Sequence, residues 1–433
     1  MSSDWKRLKL GDLVTLNYGK SLTASKRTEG SIPVYSSAGI TGSHNQALVN
    51  SKGIILGRKG SIGTVYKSNR PFFPIDTVYY ILPNDKEYDF NYLYYLLSNL
   101  GLENLNQDSA VPGLNRNAAY AQEILLPPLK IQKKIACIVT TLDDKIELNK
   151  KINQTLESIA QTIFKSWFVD FDPVHAKANA NSEDEYDAIA KELGISREIL
   201  DLFPSEFEES ELGLIPKGWN IKKLGDCELE IESGKRPKGG IDKSLKFGVP
   251  SIGAESIQSP IGTFDYSNVK YVSRDFSSTA RRGWGKNFDV MLYKDGGKPG
   301  LFKPRVSLYG EDFPFKEFMI NEHVFILRSS LLGQFYLFYL VSSDSILEQL
   351  IAKGSSKAAQ PGLNQDEVKN SLLVLPSLDV ISAYNTIVKD LVKLQLNKGK
   401  ENSSLTKIRD ALLPKLLSGE IDVSCLNLEP EHD

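Results

Sequence analysis

The sequence predicts an α+β protein in which one module occurs twice, a strand-rich globular domain followed by a long amphipathic helix. Two matches and a change of period support this prediction. The first match is Trp5-Lys-Arg-Leu-Lys-Leu-Gly-Asp with Trp219-Asn-Ile-Lys-Lys-Leu-Gly-Asp, and the second is Pro112-Gly-Leu-Asn with Pro361-Gly-Leu-Asn. After each globular stretch the apolar residues recur about every 3.5 residues, which is typical of coiled-coil helices. A duplicated chain of 433 residues therefore contains at least two domains.

The repeat defines the expected domain boundaries. We expect a first globular domain at 1–130, a first helix at 131–171, an acidic connector at 172–216, a second globular domain at 217–379, a second helix at 380–421 and a tail at 422–433.

Short apolar runs bounded by turn residues predict the strands of the first domain. They are Gly53-Ile-Ile-Leu, Thr77-Val-Tyr-Tyr-Ile-Leu and Glu123-Ile-Leu-Leu-Pro. The segments Tyr92–Ser98 and Gln334–Ser342 predict short buried helices at matching places in the two copies. The tyrosines of the first segment are expected in the core, because an aromatic stripe at helical spacing usually packs internally.

The two long helices are expected to pair as an antiparallel coiled coil that relates the two domains by an approximate two-fold axis. The predicted seam is Ile135, Ile138, Leu142, Asn149, Ile152 and Leu156 in the first helix and Leu391, Leu394, Lys398, Leu405 and Ile408 in the second. Asn149 and Lys398 fall at the same level of this seam. Polar residues there either fix the register of pairing or form a hydrated defect, and the pattern leaves both readings open.

The predicted length of the helices has a consequence for any target. At ~1.5 Å of rise for each residue, a helix over 131–168 spans roughly 57 Å, more than the ~34 Å of one turn of B-DNA. Two unlike domains held apart by such a pair would contact two unlike half-sites separated by bases that neither touches. The sequence therefore predicts a bipartite, asymmetric DNA target.

The net charge of −2 conceals an alternation along the chain. Subtracting acidic from basic residues gives +4 for residues 1–130, −8 for 131–216, +4 for 217–376 and −2 for 377–433. A surplus of +4 is weak evidence by itself, but it recurs in both globular domains, as expected if both contact phosphate.

Candidate DNA-binding residues lie in glycine-rich, basic loops of each domain. Glycine lets the backbone approach phosphate, lysine neutralises it, and arginine can bond guanine through two hydrogen bonds. The candidates are Lys20, Arg58, Lys59, Ser61, Lys235, Arg236, Arg281, Arg282, Lys298, Lys303 and Arg305. Among these we favour Arg58, Lys59 and Lys298, because they occupy glycine-rich loops at corresponding places in the two copies.

The sequence supplies no catalytic or metal-binding residues that spacing could support. Gly19-Lys20-Ser21 resembles the end of a nucleotide-binding loop, but Val14 replaces a required glycine. Adenine methyltransferases need an Asn/Asp-Pro-Pro-aromatic loop, which no stretch provides. The four histidines are scattered, and the three cysteines lack metal-ligand spacing. No membrane span or secretion signal is evident, so we expect a cytoplasmic protein.

Three stretches outside the globular domains resemble the specificity subunits of type I restriction-modification systems. They are Ser166-Trp-Phe-Val-Asp-Phe-Asp-Pro-Val, the pair Leu202-Phe-Pro-Ser-Glu-Phe and Leu212-Gly-Leu-Ile-Pro-Lys-Gly-Trp, and Leu412-Leu-Pro-Lys-Leu-Leu-Ser-Gly-Glu-Ile. The resemblance implies two target-recognition domains, an antiparallel coiled coil and no intrinsic chemistry. It further implies two methyltransferase subunits packed along the helices and two ATP-driven restriction subunits, which would use S-adenosylmethionine, ATP and Mg²⁺ while this chain binds none.

Other function classes make different predictions. A self-sufficient enzyme with a cryptic site would methylate or cut DNA without partners, and a scaffold that reads no sequence would tolerate replacement of residues 1–130 without a change in DNA specificity. The acidic stretch 182–211 is expected to be an exposed connector, and the sequence does not decide whether it docks a partner or is simply solvated.

Overall fold

The structure is a computed structural model that describes residues 4–105, 113–242, 244–258, 260–296, 302–356 and 361–427. The chain divides into two compact units, and each unit takes part of both long helices. Unit 1 comprises residues 1–146 and 404–433, and unit 2 comprises residues 147–403.

Unit 1 contains the first globular domain. Its elements are β1 (Lys6–Lys9), α1 (Leu10–Leu13), β2 (Asn17–Tyr18), β3 (Ile32–Ser36), β4 (Gly39–His44), β5 (Gly53–Gly57), β6 (Val65–Ser68), β7 (Phe73–Pro74), β8 (Val78–Ile81), α2 (Phe90–Ser98), α3 (Arg116–Tyr120) and β9 (Glu123–Leu126). The long helix α4 (Leu129–Phe168) begins directly after β9. The strands predicted near residues 53, 77 and 123 and the helix at 92–98 are confirmed.

Three sheets build this domain. A four-stranded sheet has the order β2-β8-β5-β6, a three-stranded sheet has the order β4-β3-β7, and β1 pairs with β9. Neighbours in the four-stranded sheet are antiparallel, whereas β3 and β7 are parallel. The β1–β9 pair runs from Lys6 opposite Leu126 to Lys9 opposite Glu123, so the chain enters and leaves the domain side by side.

Unit 2 contains the second globular domain and the segment that leads to it. After α5 (Asp172–Ala178), α6 (Tyr186–Leu193) and α7 (Arg197–Asp201) come β10 (Phe207–Ser210), β11 (Gly213–Pro216), β12 (Asn220–Lys223), β13 (Leu229–Ser233), β14 (Val249–Ile252), β15 (Lys270–Val272), α8 (Arg274–Thr279), β16 (Asp289–Tyr293), β17 (Arg305–Tyr309), β18 (Met319–Ile320), β19 (Val324–Ser329), α9 (Gln334–Ser342), α10 (Asp344–Ser355), α11 (Gln365–Lys369), β20 (Leu372–Leu375) and α12 (Leu378–Leu417). Helix α9 has the predicted bounds.

The second domain repeats the sheet topology of the first. Its four-stranded sheet has the order β13-β19-β16-β17, its three-stranded sheet has the order β15-β14-β18, and β12 pairs with β20. The β14–β18 pair is parallel, as is β3–β7. Asn115 and Asn364, the last residues of the repeated Pro-Gly-Leu-Asn motif, each cap the short helix that follows. Of this motif, Pro112 lies outside the described residues.

The long helices pack antiparallel within each unit. In unit 1, Ile135 and Val139 of α4 share a core with Leu416 and Leu417 of α12. In unit 2, Ala160 and Phe164 pack with Tyr384 and other residues from the start of α12. Both helices therefore contribute to both cores, and the final leucines of the Leu412–Ile421 motif are core residues of unit 1.

The buried line along the helices differs from the predicted seam. It passes through Ile135, Val139, Ile146, Asn149, Asn153, Ala160, Phe164 and Trp167 in α4 and through Val380, Tyr384, Val388, Val392, Gln395 and Leu396 in α12. Of the predicted residues, Ile138, Leu142, Ile152, Leu156, Leu391, Lys398 and Leu405 are half-buried. Leu394 and Ile408 are 42% and 47% exposed. Each helix carries two adjacent apolar lines, because it packs on a globular domain as well as on the other helix, and periodicity does not distinguish the two lines.

The predicted polar level of the seam has different partners. Asn149 donates from Nδ2 to Oδ1 of Asn402 at 2.9 Å, and Asn149 is fully buried. Lys398 instead pairs with Glu401 of its own helix, Nζ to Oε2 at 2.9 Å. The register of antiparallel pairing places Asn402 rather than Lys398 beside Asn149, a detail that a shift of 249 residues between copies does not specify.

The segment predicted as an exposed acidic connector is folded onto unit 2. Val174, Leu200 and Phe203 are almost fully buried. Lys177 donates from Nζ to the carbonyls of Leu200 and Phe203 at 3.3 and 2.5 Å, and burial lowers the pKa of this ammonium. Apolar residues spaced among the acidic ones anchor the segment, so its acidic side chains coat a packed structure.

In the described residues, no helix is long and apolar enough to cross a membrane. Nor do three or more His, Cys, Asp or Glu residues in those ranges gather into a group that could hold a metal ion.

Candidate nucleic-acid interface

The candidate residues of unit 1 collect at one end of its four-stranded sheet. Because neighbouring strands are antiparallel, β2 and β5 end where β6 and β8 begin. The chain after β2 carries Lys20, and the loop between β5 and β6 carries Arg58, Lys59 and Ser61. Lys20, Lys59 and Ser61 are exposed and Arg58 is half-buried. The structure therefore brings together four residues that the sequence places in two separate loops.

A close backbone approach builds this end of the sheet. A Cβ atom on Gly19 would lie 2.0 Å from the carbonyl oxygen of Ile75. In unit 2 a Cβ on Gly234 would lie 2.2 Å from the carbonyl oxygen of Ile320. The two glycines hold equivalent places, and only glycine allows the basic segments that follow, beginning at Lys20 and Lys235, to lie so close to the neighbouring loop.

Two arginines pack on the exposed ring of Tyr18. The guanidinium carbon of Arg58 lies 5.0 Å from this ring centroid, and that of Arg116 lies 5.3 Å from it. Arg58 also donates from Nη1 to the carbonyl of Asp76 at 3.0 Å. Tyr18 is 49% exposed, so the stack is open to solvent. Neither guanidinium has a carboxylate partner among the described residues, which leaves their charge available to an anion.

Tyr79 supports this stack from below. Its hydroxyl donates to the carbonyl of Leu114 at 3.2 Å, and its ring lies 5.7 Å from the Arg58 guanidinium and 5.1 Å from the Tyr18 ring. Burial raises the pKa of the Tyr79 phenol, with further contributions from Tyr18, so this residue is a neutral support rather than a charged group.

Sequence reasoning missed Arg116 and Tyr18. Arg116 directly follows the repeated Pro-Gly-Leu-Asn motif, and the matching residue of the second copy is Gln365. A change of residue type next to a retained motif marks a position that differs between two otherwise similar domains. That signal is present in the sequence, although a search for glycine-rich loops does not find it.

The same end of the sheet in unit 2 collects the second set of candidates. There β13 and β16 end while β17 and β19 begin. Lys235 and Arg236 follow β13, whereas Lys303 lies between β16 and β17 and Arg305 is the first residue of β17. Lys298, in the same loop, lies outside the described residues.

Residue by residue, Arg58 and Lys59 correspond to Lys294 and Asp295. The amide of Leu114 donates to the carbonyl of Arg58 at 2.8 Å, and the amide of Leu363 donates to that of Lys294 at 2.6 Å. The two loops correspond, and the residues that match Arg58 and Lys59 are Lys294 and Asp295 rather than Lys298. A longer loop in unit 2 adds residues after the corresponding pair.

The corresponding pair in unit 2 belongs to a network of charges. Lys294 contacts Asp295, Nζ to Oδ2, at 2.7 Å, and both side chains are less than one-fifth exposed. Asp295 also bonds Nδ1 of His323, whose Nε2 lies 3.4 Å from Oε1 of Glu322. Arg236 reaches the same carboxylate oxygen at 3.1 Å. Basic side chains that have no carboxylate partner among the described residues of unit 1 thus correspond to side chains that largely pair with one another in unit 2.

The remaining candidates of unit 2 divide into fixed and open side chains. Arg305 lies on the Tyr293 ring, with its guanidinium carbon 5.0 Å from the centroid, and donates from Nη2 to the carbonyl of Ala254 at 2.5 Å. Arg281 and Arg282 are exposed and directly precede Gly283, whose amide bonds Glu232 at 3.0 Å. Lys235 and Lys303 are exposed.

Comparison with known proteins shows which family the chain resembles. The family model described as the type I restriction modification DNA specificity domain matches residues 2–158. The MjaIX specificity subunit of Methanocaldococcus jannaschii is 29% identical over 383 residues, which cover 86% of this chain and 78% of the relative. The HindI specificity subunit of Haemophilus influenzae is 29% identical over 352 residues, which cover 73% of this chain and 72% of the relative. Both relatives are named as subunits of type I restriction enzymes.

A solved structure shares the fold. The S subunit of a type I restriction-modification system from M. genitalium aligns over 98% of each chain with a TM-score of 0.58 at 18% identity. The resemblance found in three sequence stretches is confirmed, because the family model, the named relatives and the doubled α+β architecture agree. The chain is therefore similar to the specificity subunits of type I restriction-modification systems in sequence and in fold.

Proposed function

We propose that this chain recognises a bipartite, asymmetric target in double-stranded DNA and reads one half-site with each globular domain. One observation carries the proposal. The two domains have the same strand order in their four-stranded and three-stranded sheets, yet the loop end of the four-stranded sheet carries different side chains in each. A shared frame with unlike residues at the same end is what two separately specified readers require.

Open cations at these loop ends support contact with phosphate. In unit 1 they include Lys20 and Lys59, and in unit 2 they include Lys235, Arg281 and Lys303. Each neutralised phosphate releases counterions, so a handful of such contacts gives most of the affinity without any sequence preference. Sequence preference must then come from fewer side chains that reach the base edges.

We further propose that the chemistry belongs to partner subunits. This chain would direct adenine methylation by two modification subunits and cleavage by two restriction subunits in the cytoplasm, and those partners would use S-adenosylmethionine, ATP and Mg²⁺. The antiparallel helices would hold the modification subunits and set the spacing of the half-sites. Support comes from the match of residues 2–158 to the family model and from the 40-residue length of both helices.

The deciding experiment compares methylated bases in the genomes of cells with and without this gene. We expect one bipartite motif containing methylated adenine to disappear on deletion and to return with the full-length chain. Persistence of every methylated motif after deletion would contradict the proposal.

Exchange of one domain tests the division of labour. Replacing residues 1–130 with the corresponding domain of a relative should change one half-site and leave the other half-site intact. A scaffold that reads no sequence would leave both half-sites unchanged. The purified chain alone, given DNA, S-adenosylmethionine, ATP and Mg²⁺, should neither methylate nor cut, whereas a self-sufficient enzyme would do so.

A further inference from the structure

One position in each domain makes the same contact with different chemistry. In unit 1, Tyr18 ends its strand opposite Tyr79 of the neighbouring strand. In unit 2, Ser233 ends the equivalent strand opposite Phe325. Tyr18 and Ser233 are therefore equivalent residues at the loop ends of the two sheets.

The partners of these residues are also equivalent. Arg116 follows Asn115, the cap of α3, and Gln365 follows Asn364, the cap of α11. Arg116 stacks on the Tyr18 ring, whereas Gln365 donates from Nε2 to Oγ of Ser233 at 3.3 Å. In both domains the first residue of the short helix thus touches the last residue of the edge strand.

Arg116 is exposed and lies over two aromatic rings. Its guanidinium carbon lies 5.3 Å from the Tyr18 centroid and 6.0 Å from the Tyr120 centroid, and the side chain is exposed. Within the described ranges no carboxylate or carbonyl bonds its N–H groups. A guanidinium that lies over aromatic rings and bonds none of the described acceptors keeps its N–H donors free, and two of them match O6 and N7 of guanine.

Gln365 presents an amide at the same place. Its Nε2 donates to the carbonyl of Ile231 and to Ser233, both at the long distance of 3.3 Å, and the side chain is half-exposed. Its Oε1 accepts no hydrogen bond from the residues that the structure describes. A glutamine amide has one donor and one acceptor side by side, which match N7 and N6 of adenine.

We propose that Arg116 and Gln365 are equivalent specificity-determining residues, with Arg116 selecting a guanine in one half-site and Gln365 selecting an adenine in the other. This inference rests on the proposed function, since it presumes that each domain reads one half-site. Under this inference, Arg116 and Gln365 are the positions at which two domains with the same fold differ in the base that they prefer.

The test uses the full-length chain in cells from which the native gene has been deleted. The variants are Arg116→Gln, Arg116→Lys and Gln365→Arg. The matched control is Arg70→Gln, because Arg70 is exposed and lies beyond the end of the four-stranded sheet opposite to the end near Arg116. The readout is the methylated motif, followed by binding of the purified assembled complex to DNA duplexes that carry single base changes.

We expect each variant to alter one base position in one half-site. Arg116→Gln should lower the preference for guanine at that position about tenfold, because an amide offers one donor group beside an acceptor and cannot donate to both O6 and N7. Arg116→Lys should lower it less, because an ammonium can still donate to both atoms but lacks the planar fork of arginine. Gln365→Arg should shift one position of the other half-site from adenine toward guanine. Arg70→Gln should leave the motif unchanged.

Two results would overturn the inference. One is an unaltered motif in folded variants, as judged by unchanged thermal unfolding. The other is an equal loss of affinity for all sequences in the Arg116 variants, which would assign Arg116 to phosphate. A failure of the proposed function looks different, because the wild-type gene would then restore no bipartite motif at all.

Discussion

Asn153 and Gln395 each donate a hydrogen bond from the side-chain amide to the backbone carbonyl of the other, both at 3.2 Å, where α4 and α12 pack together in unit 2. Both side chains are buried, and Asn153 Oδ1 and Gln395 Oε1 have no partner among the described atoms. Gln395 also donates to Glu157 at 3.0 Å. Reciprocal bonds to backbone are satisfied only when the two helices meet in one register, so this pair specifies alignment more than it stabilises.

The first prediction is a double-mutant cycle at this pair. Asn153→Ala alone should lower the free energy of unfolding by ~1–3 kcal/mol, because the carbonyl of Gln395 loses a buried donor. The double variant Asn153→Leu with Gln395→Leu should lose less than the sum of the two single leucine variants, since both amides are then replaced by apolar groups. Chemical denaturation of the full-length chain measures the free energy of unfolding for the alanine variant and for the four members of the leucine cycle, namely the wild type, the two single variants and the double variant. Strict additivity would mean that the two amides act independently.

The second prediction concerns a loop that approaches these helices within unit 2. Gly262 has a φ of +80°, and a Cβ there would lie 2.2 Å from the carbonyl oxygen of Gln395. Gly239 has a φ of +92° with nothing within 4 Å of the corresponding Cβ position. Both alanine variants carry backbone strain, but Gly262→Ala should lose about 1–3 kcal/mol more stability, because backbone must also move. Equal losses would show that the loop can shift freely.

The third prediction isolates phosphate contacts. Lys20→Ala and Lys235→Ala should each reduce the slope of log Kd against log salt concentration by about 1, with a uniform loss of affinity across DNA sequences. The matched controls are Lys86→Ala and Lys286→Ala, whose lysines are exposed beyond the opposite ends of the two four-stranded sheets. Binding titrations of the assembled complex at several salt concentrations provide the slopes. A control that changes the slope as much as its partner would place DNA on the other end of the sheet.

The fourth prediction explains one of the sequence stretches that carry the family resemblance. Trp167 is 3% exposed and packs edge-to-face with Phe203 at 5.1 Å and with Tyr384 at 6.1 Å between ring centroids. Trp167→Ala should lower the unfolding free energy by roughly 3–5 kcal/mol, the usual cost of removing a buried large aromatic side chain. Phe247→Ala, at a residue that is 84% exposed, should change it by less than about 0.5 kcal/mol. A loss below about 1 kcal/mol for Trp167→Ala would contradict a core role.

Features that depend on local pattern could be predicted from the sequence. The bounds of Gln334–Ser342 and the strand at residue 53 follow from apolar periodicity and turn residues. The seam could not be fixed in the same way, because Leu394 lies on an apolar line that the fold leaves exposed. Choosing between two adjacent lines requires knowing what packs on each, and that information is tertiary.

The candidate interface shows the same limit, because some of its residues follow from local sequence pattern and others only from the fold. The basic, glycine-rich loops indicated Arg58 and Lys59 as candidates, but equivalent backbone hydrogen bonds in the fold are needed to show that their counterparts are Lys294 and Asp295. The ion pair between Lys294 and Asp295 is likewise a feature of the folded structure. Arg116 escaped notice because it lies on a short helix far along the chain from Tyr18. Residues that act together across a sheet end become visible only when the register of the sheet is known.

The antiparallel pair of β1 and β9, repeated by β12 and β20, has a consequence for how the domains can change. The chain enters and leaves each domain through one short antiparallel pair. That pair fixes how the domain is attached to the long helix that follows it. Substitutions, insertions or complete replacement of the loops at the far end of the four-stranded sheet need not disturb this attachment. Selection can therefore change what each domain recognises while the geometry of attachment stays constant.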